Sequence, residues 1–118
     1  MSGGLTTHVL DTAQGRPAGG MKVDLFRLND TERTLLASVL TNADGRTDAP
    51  LIARGELQAG VYELVFDVAG YFADSGLALS QPAFLTRIPV RFGVADTGAH
   101  YHVPLLVSPW AYSTYRGS

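Results

Sequence analysis

Short runs in which apolar and polar residues alternate recur along this chain, and they constrain its fold more than any other feature. Successive side chains of a β-strand point to opposite faces of the sheet, so alternation with a period of two predicts a strand with one buried face. The clearest run covers residues 61–68, which are rich in the β-branched and aromatic residues that strands favour. The periodicity is therefore more typical of a β protein than of a helical one.

The same alternation predicts the remaining strands. They cover residues 5–10, 21–25, 34–41, 84–92 and 100–108, with short additions at residues 50–54 and in the tail from residue 110. One short helix is expected from Tyr71, Phe72 and residues 75–79, where the alternation breaks. Pro89 cannot donate a backbone hydrogen bond, so its strand should lie at a sheet edge or carry a bulge. Seven or eight short strands with one helix predict an all-β sandwich.

Length and composition favour one globular domain over residues 1–118. Hydrophobic residues make up 46% and charged residues 17% of the chain, which is not the composition of a disordered protein. The lack of cysteine excludes disulfide scaffolds, zinc ribbons and thiol nucleophiles. A net charge of −2 argues against binding to nucleic acid or to an anionic membrane. No apolar run reaches the ~20 residues of a membrane span and no signal peptide is recognised, so we expect a cytoplasmic protein.

Three histidines are the first candidates for chemistry. His100 and His102 are two residues apart on a predicted strand and therefore project from the same face, while His8 lies on another strand. This spacing is compatible with ordinary hydrogen bonding, with a three-histidine zinc site that activates water, and with acid–base catalysis. The spacing alone leaves all three interpretations open.

Arginine supplies eight of the nine basic residues, and Lys22 is the only lysine. Arg46 follows a tight turn expected at Asp44 and Gly45, and its planar guanidinium suits contact with a carboxylate or with the amide edge of a heterocycle. The alternative is a solvated charge on a loop. In the tail, the aromatic residues of segment 110–115 indicate packing, whereas a frayed end or a cloning remnant would also explain residues 116–118.

Four segments, taken together, resemble the transthyretin-related 5-hydroxyisourate hydrolases. They are LTTHVLD at residues 5–11 with GRPA at 15–18, NADGR at 42–46, HYHVPLL at 100–106 and YSTYRGS at 112–118. The resemblance extends over nearly the whole chain. It implies a transthyretin-like β-sandwich of two four-stranded sheets with one short helix.

The resemblance also implies a set of site residues, carried over position by position. The catalytic group would be His8, Arg46, His102 and Ser118, and the pocket would be shaped by Tyr115, Arg116 and Gly117. His100 would lie on the same strand face but nearer the rim, and no role is assigned to it. No metal and no cofactor are implied.

The implied reaction is the hydrolysis of 5-hydroxyisourate to 2-oxo-4-hydroxy-4-carboxy-5-ureidoimidazoline in urate degradation. A histidine would activate water for attack on a ring amide, with His102 placed ahead of His8 as the base, while Arg46 and Arg116 would offset the developing negative charge. The family assembles as a homotetramer, a dimer of dimers with active sites between the dimers. The alternative function is that of transthyretin proper, a small-molecule carrier without turnover, but the histidines and the Tyr-Arg-Gly-Ser ending favour the hydrolase branch.

Overall fold

The computed structural model describes residues 3–117, most of which form or connect short β-strands. The strands are β1 Leu5–Thr6, β2 Val9–Asp11, β3 Arg16–Pro17, β4 Lys22–Leu28, β5 Arg33–Leu40, β6 Gly60–Asp67, β7 Arg87–Val94, β8 Tyr101–His102, β9 Leu105–Val107 and β10 Tyr112–Thr114, and the helix α1 is Val68–Ala73. No helix within residues 3–117 is both long and apolar enough to cross a membrane.

Eight of the ten strands described form two four-stranded sheets, one in the order β10-β9-β2-β3 and the other in the order β5-β4-β6-β7, while β1 and β8 form a two-stranded pair. Side chains that are wholly buried come from both sheets, among them Val9 and Leu105 from the first and Leu25, Leu64 and Phe66 from the second. Alternation within each strand places these residues on the inner faces. The predicted all-β sandwich of two four-stranded sheets with one short helix is confirmed.

Two of the predicted strands, which lie side by side in the structure, are each broken into two shorter strands at matching positions. The predicted strand at residues 5–10 is divided into β1 and β2, and the predicted strand at residues 100–108 is divided into β8 and β9. β1 pairs with β8 and β2 pairs with β9, both in parallel, with Thr6 opposite His102. Pro104 lies in the second interruption and has no N–H to contribute to a ladder. His8 and His102 therefore lie on adjacent segments, with His8 two residues beyond Thr6, which is opposite His102.

The helix and two of the predicted strands differ from the sequence-based expectation. α1 contains Tyr71 and Phe72 as predicted, but residues 75–79 are not helical, because Gly76 adopts a left-handed φ of +82° that a helix does not allow. β7 begins only at Arg87, and residues 50–54 contribute a single bridge from Ile52 to β1. β7 and β10 are edge strands, so the edge position predicted from Pro89 is confirmed and the short strand expected in the tail also lies at an edge.

Candidate active site

One threonine hydroxyl joins the two histidines of the β8 segment. The Oγ1 atom of Thr6 lies 2.8 Å from Nδ1 of His102 and 3.0 Å from Nε2 of His100. This contact follows from the parallel pairing of β1 with β8, which sets Thr6 opposite His102. Both rings reach the same hydroxyl, so the shared strand face predicted for them is confirmed. The three side chains form a continuous polar cluster on a half-buried surface.

His8 is held by the turn that precedes Arg46. Its Nε2 atom lies 2.9 Å from the carbonyl oxygen of Asp44, and the backbone N–H of the next residue, Val9, donates to the carbonyl of Gly45 at 2.8 Å. These two contacts attach the turn to the interruption between β1 and β2. The orientation of the His8 ring therefore depends on the conformation of the turn.

Asn42 closes this turn and so determines where Arg46 lies. Its side-chain oxygen accepts the N–H of Asp44 at 2.9 Å, and its backbone N–H donates to the carbonyl of Arg46 at 2.7 Å. Gly45, in this turn, has a φ of +74°, a backbone conformation that residues with a side chain rarely adopt. The Arg46 guanidinium is exposed and makes no hydrogen bond or ion pair with any other residue in the range 3–117. It is thus available to a ligand.

His8 and Arg46 both lie close enough to His102 to affect its pKa. The pKa of His102 is lowered from its ordinary value, chiefly because partial burial disfavours the charged ring and then because of the positive charge of Arg46, with further electrostatic contributions from the neighbouring His8 and His100. His102 is accordingly neutral at pH 7. The structure therefore brings together His8, Arg46 and His102, three of the residues that the sequence predicts for the site.

The lowered pKa of His102 makes the stability of the fold depend on pH. Below the ordinary histidine pKa of 6.5, the unfolded chain takes up a proton that the folded chain does not, so the free energy of unfolding falls as the pH decreases toward the folded-state value. We expect thermal melts between about pH 7.5 and about pH 5 to show this loss, and the loss to be smaller in His102→Gln. A stability difference between the two proteins that is constant over this range would contradict the expectation.

The C-terminal residues divide between two sides of β8. Gly117 lies against His102: its N–H donates to the His102 carbonyl at 2.7 Å, and a Cβ at this position would come within 2.6 Å of the His102 ring. The guanidinium of Arg116 instead stacks 4.1 Å from the ring centroid of Tyr101, and Tyr115 lines the same cavity of about 270 Å³. Tyr101 and His102 are consecutive residues of β8 and face opposite ways. Tyr115 and Arg116 lie on the Tyr101 side and are therefore on the side away from the histidines. Ser118, predicted to be catalytic, lies outside the described residues.

Two parts of the site were missed by reasoning from the sequence. One is the Thr6 hydroxyl, although the alternation that places Thr6 and His8 on one strand face was a usable signal. The other is the carbonyl of Asp44, which no sequence pattern would single out. Within residues 3–117 no three His, Asp or Glu side chains are arranged to hold a metal ion.

Comparison with known proteins connects this geometry to a family. Residues 5–117 match the HIUase/Transthyretin family. 5-Hydroxyisourate hydrolase 2 of Rhizobium meliloti is 58% identical over 117 residues, which cover 99% of this chain and 98% of that protein. The structure of Klebsiella pneumoniae 5-hydroxyisourate hydrolase superimposes with a TM-score of 0.81 at 36% identity, covering 98% of this chain and 99% of the other. The chain belongs to the HIUase/transthyretin family.

A larger protein contains the same unit. The crystal structure of (S)-allantoin synthase matches with a TM-score of 0.94 at 48% identity over 99% of this chain. This chain spans only 44% of the length of that protein. The likeness therefore concerns one part of the synthase and carries over the fold of that part.

Proposed function

We propose that this chain hydrolyses 5-hydroxyisourate by metal-free addition of water to a ring amide, with a histidine taking the proton from water. The observation that carries the proposal is the clustering of His8, His102 and Arg46 in a chain whose full-length relatives, at 50–58% identity, are named 5-hydroxyisourate hydrolases. The product would be 2-oxo-4-hydroxy-4-carboxy-5-ureidoimidazoline.

The cluster supplies what amide hydrolysis requires. The reaction needs a base for the water, a proton for the departing nitrogen and a stabiliser for the tetrahedral oxyanion. A neutral imidazole is suited to the first task. The burial of His102 and the nearby guanidinium of Arg46 lower the pKa of His102 and keep that ring neutral. The unpaired guanidinium of Arg46 would hold the carbonyl edge of the substrate and offset the charge that develops on it. A seryl nucleophile is not proposed, since no strand–turn–helix elbow is recognised in the sequence.

The direct test is the ultraviolet decay of freshly generated 5-hydroxyisourate with and without the protein, in buffer that contains EDTA. Faster decay at enzyme concentrations far below that of the substrate is the expected result. If a folded protein gives no acceleration but binds the compound, the carrier alternative replaces the hydrolase. Acceleration that appears only when zinc is added would instead favour a metal enzyme.

Deleting Ser118 should impair turnover. The preceding residue, Gly117, donates its backbone N–H to the carbonyl of His102, and the family resemblance assigns Ser118 to the catalytic group. We expect the deletion to lower kcat/KM by about 10-fold or more, the loss typical of removing a group that positions substrate or a proton. A deletion variant with unchanged kcat/KM would restrict the tail to packing. Deletion of Met1 and Ser2 is the matched control at the other end of the chain.

We extend the proposal to assembly as a homotetramer, a dimer of dimers in which active sites lie between dimers. The exposed edge strand β10 and the aromatic residues near it support an interface there, because Trp110 is 61%, Tyr112 47% and Tyr115 58% exposed in the single chain. In such an assembly Tyr115 and Arg116 would contribute to a pocket of the tetramer even though they face away from the histidines of their own chain.

A further inference from the structure

The hydrogen-bond partner of His8 determines which of its ring nitrogens is basic. A backbone carbonyl oxygen only accepts hydrogen bonds, so the Nε2 atom that lies 2.9 Å from the Asp44 carbonyl must carry a proton. A neutral imidazole has one proton. In neutral His8 the other nitrogen, Nδ1, therefore has a free lone pair and is the atom able to take a proton from water.

In His102 the protein partner, the Thr6 hydroxyl, contacts the other ring nitrogen, Nδ1. This hydroxyl has one proton and two acceptor lone pairs, and it lies within hydrogen-bonding distance of Nε2 of His100 and Nδ1 of His102. The arrangement that uses its proton within the cluster is to donate to one ring and accept from the other. The Nδ1 atom of His100 is buried and has no partner within residues 3–117. Buried N–H groups without an acceptor are rarer than buried acceptors without a donor. The proton of His100 is thus on Nε2 and is donated to Thr6.

The direction of the chain of hydrogen bonds follows. With the His100 proton on Nε2 and directed at the Thr6 oxygen, we take the Thr6 proton to be donated to Nδ1 of His102, the other ring nitrogen within hydrogen-bonding distance. The single proton of neutral His102 must then be on Nε2, the nitrogen that is not bonded to Thr6. His102 presents an N–H to the site, whereas His8 presents a lone pair.

We infer that His8 is the general base and that His102 is an N–H donor to the oxyanion, held in this tautomer by Thr6 and His100 as positioning residues. The inference rests on the proposed hydrolase function and refines it. It reverses the order expected from the sequence, in which His102 was placed ahead of His8 as the base. It also gives a role to His100, for which the sequence suggested none.

The step balances with these two roles alone. Nδ1 of His8 takes a proton from water while the water oxygen bonds to the ring carbonyl carbon, and the carbonyl π electrons move to oxygen. The oxyanion accepts a hydrogen bond from Nε2–H of His102. On collapse the C–N bond breaks, and the His8 imidazolium gives its proton to the departing nitrogen. One water is added, and both rings return to their starting tautomers.

The tautomers are measurable without any turnover. In a ¹⁵N-labelled protein at about pH 8, where ordinary imidazoles are neutral, long-range ¹H–¹⁵N spectra distinguish the protonated from the bare ring nitrogen. We expect both His8 and His102 to be protonated on Nε2, with assignments made from His8→Gln and His102→Gln. Protonation of His102 on Nδ1 would overturn the inference.

Thr6→Val and Thr6→Ser test the positioning role. Valine has nearly the same shape as threonine but no hydroxyl, so it should mix the tautomers of His102 and lower kcat by about 10–100-fold with KM nearly unchanged, as when partners that orient imidazoles at metal sites are removed. Serine restores the hydroxyl and should recover both the spectrum and most of the rate. Thr34→Val, an exposed position on β5, is the control for the substitution itself.

The outcomes separate this inference from the function on which it rests. If the wild type has the expected tautomers but does not hydrolyse 5-hydroxyisourate, the hydrolase proposal fails, and the catalytic roles fail with it. If the wild type turns over normally and Thr6→Val keeps full kcat in a folded protein, the hydrolase proposal stands and the positioning role is refuted. Loss of both kcat and the tautomer preference in Thr6→Val, reversed by Thr6→Ser, supports both.

Discussion

Replacing His8 by glutamine is expected to lower kcat by about 10²–10⁴-fold, the usual contribution of a general base. Glutamine retains an N–H that can reach the Asp44 carbonyl, which in the wild type lies 2.9 Å from the His8 ring, but it has no basic nitrogen. The substitution therefore removes the base with little disturbance of the turn. Decay of 5-hydroxyisourate at saturating substrate gives kcat, and a melting temperature close to that of the wild type would show that the fold is retained.

His102→Gln is the matched comparison, because the two substitutions are chemically identical and differ only in the ring they remove. The glutamine amide can place an N–H near the position of His102 Nε2, so this variant should retain some stabilisation of the oxyanion and lose less kcat than His8→Gln. A larger loss in His102→Gln than in His8→Gln would restore His102 as the base. The two variants together decide between the assignments.

Replacing Gly45 by alanine is expected to destabilise the fold by at least about 2 kcal/mol. Gly45 has φ +74°, and an added Cβ would lie 2.3 Å from the backbone carbonyl oxygen of Val9. Strain at such a φ costs about 1–3 kcal/mol for a residue with a side chain, and the contact with a rigid backbone atom adds to it. At about 5 °C per kcal/mol, the melting temperature should fall by about 10 °C or more.

Gly15→Ala isolates the backbone contribution to this loss. Gly15 has a similar φ of +68°, but an added Cβ there would meet no atom within 4 Å. It should therefore cost about 1 kcal/mol, the strain alone, and leave turnover unchanged. Gly45→Ala should also reduce kcat, because the turn that it displaces carries both the Asp44 carbonyl and Arg46. Equal losses of stability in the two variants would show that the approach of Gly45 to Val9 is unimportant.

The strands could be predicted from the sequence because their burial pattern is local. Leu5, Thr7 and Val9 are buried while Thr6 and His8 are half-buried, as the alternation requires. Boundaries were less accurate where the backbone conformation of a single residue intervenes. Gly76, with its left-handed φ, is such a residue and lies within the segment expected to be helical.

The resemblance to known hydrolases predicted His8, Arg46 and His102 as candidate site residues from the sequence alone, because the motifs that contain them lie close to their family pattern. The resemblance did not separate the tail into two environments. Gly117 contacts His102, whereas Arg116 stacks on Tyr101. Which way each of these residues faces depends on how the tail crosses β8, and no local pattern records that crossing.

The sequence by itself determined the class of fold and the residue types of the site, because alternation and motif are properties of neighbouring residues. Only the tertiary structure decided where the protons of that site reside. Thr6 and His102 are 96 positions apart and meet through the parallel pairing of β1 with β8, while His8 meets the carbonyl of Asp44 across 36 positions. A histidine becomes a base or a donor according to the partner of its other nitrogen, and those partners are assembled only when distant segments pack together.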